Sequence, residues 1–213
     1  LTVITREWGA LLAALRRLKA IRDGNEELRR AILGWHVEGP FISGEPGFVG
    51  AHDLEAVRNP TPEAMDQLKA VVGNDPTLLT LAAERDGAVD AIRRAKELGI
   101  VISLGHSNVP TERLKEAVAA GAAGFTHLGN GIPQTLDRHD NILWRVLDGS
   151  GLTAGVIPDT HHVKAPLFRL FHRLLGPENI YWTTDAMCGA GAPPGIYSLG
   201  KHRIQVGETG TPP

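Results

Sequence analysis

Apolar runs along this chain alternate with stretches in which apolar residues recur at every third or fourth position, a pattern of strands feeding helices. Over 6–22, Trp8, Leu11, Leu12, Leu15 and Leu18 keep helical spacing, which predicts an amphipathic helix stopping near Asp23-Gly24. Residues 31–38 read as a buried strand. Thr61 and Pro62 read as the cap and first-turn proline of a helix running through Leu68 and Val71 to Gly73. Strand 78–83 follows, then a helix with Val89, Ile92 and Leu98 on one side, closing at Gly99. The series continues as strand 100–105, helix 110–120, strand 123–128, strand 152–157, helix 165–175 and strand 179–184. This is βα repetition, so the fold class is α/β with parallel strands. The six strands fall two short of an eight-stranded barrel, which typically takes ~250 residues. Because a helix is predicted first, the shortfall is expected at the amino end. Residues 196–200 and 202–206 predict a hairpin outside the repeat.

The strands end in chemistry. Trp35-His36-Val37-Glu38, Ile102-Ser103-Leu104-Gly105-His106, Phe125-Thr126-His127 and Tyr181-Trp182-Thr183-Thr184-Asp185 each finish on a metal-binding or proton-carrying side chain. If the strands are parallel, these ends share one face of the sheet or barrel. A carboxylate and two neutral imidazoles, Glu38, His106 and His127, form a donor set for a borderline divalent cation with a position left for water. Such a cation brings the pKa of bound water near neutrality, and Asp185 then suits the transfer of that proton to a leaving group. The set describes metal-assisted hydrolysis. Each member also has a plainer reading: a lone strand-end histidine as a hydrogen-bonded structural group, Glu38 before Gly39-Pro40 as the start of a turn, Asp185 as a helix cap. Convergence of four complementary ends favours the site. His36, two residues before Glu38, shares its strand face and suits a supporting role.

Composition narrows the setting. With 213 residues, 42% hydrophobic and 22% charged, the chain is long enough for one ordinary core. A net charge of −2 and pI near 6.5 give no basic footprint for nucleic acid, and Arg16-Arg17-Leu18-Lys19 reads as a solvated helix face. The single cysteine, Cys188, excludes an internal disulfide and suits the reducing cytoplasm; it is read as a small packed residue. No apolar run reaches the ~18 residues of a membrane span, and no signal peptide is visible. Gly189-Ala-Gly-Ala-Pro-Pro-Gly195 lacks the Lys-Ser/Thr of a phosphate-cradling loop and reads as a connection.

The words around these ends resemble a known family. His36-Val-Glu-Gly-Pro-Phe followed by Gly50-Ala-His52, then Leu104-Gly-His-Ser107, Thr126-His-Leu-x-Asn130, Asp159-x-x-His162, Thr184-Asp-Ala-Met187 and Gly195-x-Tyr-x-Leu-Gly200 occur in the order found in N-acetylglucosamine-6-phosphate deacetylases of the amidohydrolase superfamily. The resemblance implies a TIM-like (β/α) barrel, incomplete at the N-terminus, over residues 1–194, with residues 195–213 starting a small β-sandwich. It implies hydrolysis of the acetamide of N-acetylglucosamine 6-phosphate, one bound cation with zinc ahead of iron, manganese or cobalt, and a homodimer. Carried over by position, Glu38, His106 and His127 match the metal ligands and Asp185 the catalytic acid/base. His52 matches a histidine that polarises the acetyl carbonyl. Ala51, Asn130, Gly131 and His162 match substrate contacts, and Arg138 matches an arginine that reaches the phosphate from the neighbouring subunit. A guanidinium suits that task through paired, charge-assisted hydrogen bonds.

The chain also departs from the family pattern. Gly129 stands where an aromatic is usual, Gly131-Ile132-Pro133 follows the asparagine, and His139-Asp140-Asn141 follows Arg138, placing a negative charge near the expected phosphate pocket. His161 competes with His162 for one substrate contact. No His-x-His pair precedes Glu38, so a single cation is the minimal expectation. Two alternatives stay open: deacetylation of a different or unphosphorylated amino sugar, and an inactive sugar-binding relative.

Overall fold

A computed structural model describes residues 1–207. It begins with a strand, β1 (Thr2–Ile4), followed by α1 (Trp8–Asp23), α2 (Glu26–Ala31), β2 (Trp35–Glu38), α3 (Pro62–Val72), β3 (Thr77–Leu81), α4 (Ala88–Glu97) and β4 (Val101–Leu104). Then come α5 (Thr111–Ala120), β5 (Ala122–Phe125), α6 (Ile142–Leu147), β6 (Thr153–Val156), α7 (Ala165–Leu175), β7 (Ile180–Trp182) and the hairpin β8 (Gly195–Leu199) and β9 (His202–Val206).

Strands β1 to β7 form one parallel sheet in chain order, with Val3 beside Val37, Val37 beside Leu79 and Leu79 beside Ile102. Alternation along each strand divides the sheet into two faces. Val37, Leu79, Leu81, Ile102 and Leu104 are fully buried in one core cluster with Leu11, Leu15, Met65, Leu68 and Ile92 of the helices. Burial of each such side chain contributes about 1.5–3 kcal/mol. The opposite face is polar toward the strand ends. There the imidazole of His36 lies 2.8 Å from Thr80 Oγ1, which lies 2.7 Å from Thr126 Oγ1, and Thr126 donates to Ser103 Oγ at 2.7 Å. This interior chain of hydroxyls ties four strands together beneath the site.

The helix boundaries follow from local chemistry. Thr61 Oγ1 accepts from Ala64 N at the start of α3, Pro62 occupies its first turn, and Gly73 closes it at φ 62°. Glu7 caps α1 by accepting from the N–H groups of Gly9 and Ala10. Arg22, buried at the end of α1, bonds Asp23 and Asp75 and lies 5.0 Å over the Trp35 ring, while Trp35 Nε1 donates to Asp75.

Three expectations are corrected. The sheet starts at Thr2, ahead of the first helix, because a three-residue strand is too short to register as a periodic run. The stretch expected as strand from residue 31 opens instead with α2, capped by Asn25, and β2 begins only at Trp35. The short helix α6, capped by Asn141, was not expected. With seven strands the sheet is one short of eight, and among the described residues β1 and β7 do not pair, so the barrel is not closed. The sheet nevertheless curls enough that Thr2–Ile4 and Tyr181 line one cavity of about 1470 Å³. The hairpin forms as expected, Tyr197 opposite Ile204, and residues 208–213 of the expected carboxy-terminal segment lie outside the described residues. No described helix is long and apolar enough to cross a membrane.

Candidate metal centre

The sheet delivers three buried donors to one point. Glu38, the last residue of β2, places Oε1 3.0 Å from His106 Nε2 and 3.0 Å from His127 Nε2. His106 and His127 lie two residues past the ends of β4 and β5, and the three ligand atoms all fall within 4.8 Å of one another. Backbone conformation makes this possible. His106, His127 and Asp185 take φ values of 49°, 33° and 48°, and with Thr160 they are the non-glycine residues at positive φ among those described. Each such conformation costs on the order of 1–3 kcal/mol and persists where its surroundings enforce it.

Hydrogen bonds fix how the donors face. The Phe48 carbonyl can only accept, so His106 donates to it from Nδ1 at 2.7 Å and turns the lone pair of neutral Nε2 toward Glu38. A carboxylate oxygen and an imidazole lone pair at 3.0 Å repel unless a cation lies between them. The donor set therefore fits a divalent metal. His127 Nδ1 has no partner among the described residues, so His106 is the more firmly oriented of the two.

The backbone walls in His106. A side-chain carbon on Gly131, at φ 61°, would lie 2.8 Å from its Nδ1, and one on Gly50, at φ 57°, would lie 3.1 Å from its Cε1. On the far side of its loop, Glu84 accepts from Ser107 Oγ and, at 2.7 Å, from Asn108 N–H. Burial raises the Glu84 carboxyl above its usual value, against those hydrogen bonds.

The electrostatics are those of a carboxylate surrounded by imidazoles. Burial pushes Glu38 up, but the facing imidazoles of His106, His127 and His52 hold it well below the usual carboxylate range. Burial lowers His106 despite Glu38. For His127 burial also acts downward, yet the hydrogen bond and charge of Glu38, with the charge of Asp185, raise it. Burial lowers His36 as well.

Of the other residues singled out in the sequence, His52, Ala51, Asn130, Gly131, His162 and Asp185 line the same cavity. His52 Nε2 is 3.5 Å from Glu38 Oε1. Asp185 is exposed and does not join the three mutually close ligand atoms. The Asn130 amide nitrogen is buried without a hydrogen-bond partner among the described residues. His162 lines the cavity and His161 does not, and Asp159 holds His162 Nδ1 at 2.6 Å. Arg138 is exposed on the 131–141 loop and does not line this cavity. The negative charge of Asp140 is paired with Arg145 Nε at 2.6 Å. Cys188, expected to be packed, is exposed and lines the cavity, because its segment follows the uncovered edge strand β7. Thr5 and the Phe48 carbonyl, which orient the imidazoles, gave no signal in the sequence; both act through contacts between distant segments.

No family model matches the chain. A curated N-acetylglucosamine-6-phosphate deacetylase of Lysinibacillus sphaericus is 34% identical over 179 residues, 84% of this chain and 46% of the relative. An N-acetylgalactosamine-6-phosphate deacetylase of Escherichia coli O157:H7 is 32% identical over 205 residues, 96% of this chain and 53% of the relative. Among solved structures, a mutant N-acetyl-D-glucosamine-6-phosphate deacetylase of Mycobacterium smegmatis in complex with N-acetyl-D-glucosamine-6-phosphate superposes with a TM-score of 0.84 at 29% identity, covering 97% of this chain and 52% of that one. The chain thus spans about half the length of the relatives it matches.

Proposed function

We propose that the chain belongs to the family of N-acetylglucosamine-6-phosphate deacetylases, to which it is similar over most of its length, and that it carries the active site of a cation-dependent hydrolase converting N-acetylglucosamine 6-phosphate and water to glucosamine 6-phosphate and acetate. The observation that carries this reading is the convergence of Glu38, His106 and His127 from three strands, with Asp185 in the same cavity.

Glu38, His106 and His127 hold the cation, zinc before iron, manganese or cobalt on donor chemistry. When bound, it supplies Lewis acidity toward the acetyl carbonyl and a lowered pKa to water. Asp185 takes a proton from the attacking water and delivers it to the departing amine, so no proton is gained or lost on the protein over the cycle. His52 faces the reacting carbonyl. The Ala51 backbone, Asn130, Gly131 and His162 contact the sugar, the unpartnered Asn130 amide being a ready donor. Arg138, which does not line the cavity of its own chain, reaches the phosphate of the neighbouring subunit in a homodimer.

At the scale of the fold, the curled sheet is part of a (β/α) barrel, residues 1–194, with one further strand between β7 and β1. The hairpin begins a small β-sandwich over 195–213, and the setting is cytoplasmic. A second reading, the galactosamine epimer, is favoured by the Escherichia coli relative.

The test is acetate release from the two epimeric sugar phosphates and from unphosphorylated N-acetylglucosamine, measured together with metal content. Asp185→Asn should keep the metal and lose turnover by at least ~100-fold, the scale of a general acid–base contribution. His106→Ala should lose the metal itself. An Asp185→Asn variant with an unchanged rate sinks the proton-transfer role, and preference for the galactosamine epimer selects the second reading.

A further inference from the structure

Resting on the reading above that Arg138 takes the sugar phosphate, we propose that Arg145 is a positioning residue for that contact. Its guanidinium occupies the Asp140 carboxylate, holds the 137–141 turn against the loop after β4, and so leaves Arg138 free for an anion. The argument starts from the charges of the turn. Two carboxylates, Asp137 and Asp140, flank one guanidinium, Arg138. An acid left unoccupied there would pair with Arg138 and cancel the charge that a phosphate needs.

Both acids are occupied. Asp137 Oδ1 accepts from the N–H groups of His139 at 2.7 Å and Asp140 at 3.0 Å. Asp140 Oδ1 accepts from Arg145 Nε at 2.6 Å, and the Asp140 carbonyl accepts from Arg145 Nη2 at 3.4 Å. Arg138, exposed between the two acids, enters no ion pair among the described residues. The turn therefore presents one uncompensated cation.

The clamp spans two loops. Arg145 Nη1 donates to the carbonyls of Val109 at 2.9 Å and Asn108 at 3.3 Å, and to Asn108 Oδ1 at 3.2 Å. Glu84 holds the same segment from its other side, through Ser107 Oγ and Asn108 N–H. Asn141, buried, closes the turn: its Nδ2 donates to the Asp137 carbonyl at 2.7 Å and its Oδ1 caps α6. Only a forked, planar cation can satisfy a carboxylate and three oxygens of a second loop at once. The Arg145 side chain is 12% exposed and that of Asp140 is 72% exposed. An ion pair with one partner so exposed lends little to stability, so its effect lies in what it keeps the carboxylate from doing. The negative charge that the sequence sets near the phosphate pocket is cancelled within its own turn.

The test compares KM and kcat of the intact protein for acetate release from phosphorylated and unphosphorylated N-acetylglucosamine. Arg145→Met, which keeps the length of the side chain without its charge, should raise KM for the phosphorylated sugar roughly 3- to 10-fold, the scale of one unit charge ~5 Å away in a wet site. The kcat, the metal content and the KM for the unphosphorylated sugar should hold, the pattern of lost substrate binding without lost chemistry. Adding Asp140→Asn to Arg145→Met should recover most of the loss, because no acid is then left to compete for Arg138. An unchanged KM in Arg145→Met, an equal rise for the unphosphorylated sugar, or no recovery in the double variant overturns the proposal. Should Arg145→Met fail to fold, His139→Asp sets an unmasked carboxylate beside Arg138 and should raise the same KM; a wild-type value there overturns the proposal as well. A KM for the phosphorylated sugar that is unchanged in Arg138→Ala overturns the phosphate reading instead, so the two failures are distinguishable.

Discussion

At the scale of single residues, Glu38 and His127 set how the centre responds to pH. The Glu38 carboxyl is held below its usual range, so the stability it lends the metal-free protein is present above the ordinary carboxylate pKa and lost as pH falls through the lowered value. His127 is shifted the other way. Its contribution is full below the ordinary imidazole pKa and disappears as pH rises through the raised value. The metal-free melting temperature should therefore be highest between the ordinary carboxylate and imidazole ranges, and Glu38→Gln should flatten both flanks. Metal uptake displaces the proton that His127 holds against Glu38, so titration calorimetry at neutral pH in buffers of different ionisation enthalpy should detect proton release. Buffer-independent heats would contradict this account. The three clustered donors proposed as ligands were legible in the sequence because each sits at or just past a strand end. Their left-handed backbones and the orientation of His106 by Phe48 were not, since neither leaves a mark in composition or spacing.

At the scale of elements, the loops after β4 and β5 act as one rigid mount. Gly131 lies against the His106 ring at a left-handed φ, and Glu84 anchors the loop after β4 by its two hydrogen bonds. Gly131→Ala should cost about 1–2 kcal/mol from backbone conformation, read as a lower melting temperature of the metal-free protein. It should also weaken metal binding, because the added carbon displaces the imidazole. Gly50→Ala should do less, its approach being 3.1 Å against 2.8 Å. Equal effects would show that strain alone, rather than contact with His106, governs both positions. The helices with a full amphipathic face, α1, α3 and α4, were legible, and α3 was legible with its Thr61 cap and Pro62. The three-residue β1 and six-residue α2 and α6 were not, because elements so short take their conformation from neighbours more than from their own periodicity.

At the scale of the whole molecule, β1 and β7 are the two edges of the sheet among the described residues. Trp182 of β7 is 59% exposed and Tyr181 37%, and β1 faces the same cavity from the other side. The proposed subunit exchange belongs here as well, because Arg138 stands outside the cavity of its own chain. Arg138→Ala should lose activity on the phosphorylated sugar while sparing an unphosphorylated one. Co-expressed with Asp185→Asn it should recover roughly a quarter of the wild-type rate, since about half of all dimers would be mixed and each mixed dimer would carry one intact site of two. No recovery would place the phosphate contact within a single chain.

The sequence by itself determined that parallel strands alternate with helices and that Glu38, His106, His127 and Asp185 stand at strand ends, because hydrophobic period and strand termination are local properties. Only the tertiary structure decided that three of these four meet at one point, that the sheet begins with β1 and, among the described residues, stays open between β1 and β7, that Cys188 is exposed, and that the Phe48 carbonyl sets which nitrogen of His106 faces the centre. Those facts depend on distances between segments far apart in the chain: the hydrogen bond that orients His106 joins it to Phe48, 58 residues away. Such contacts exist only once the backbone has folded, and no periodicity in the sequence encodes them.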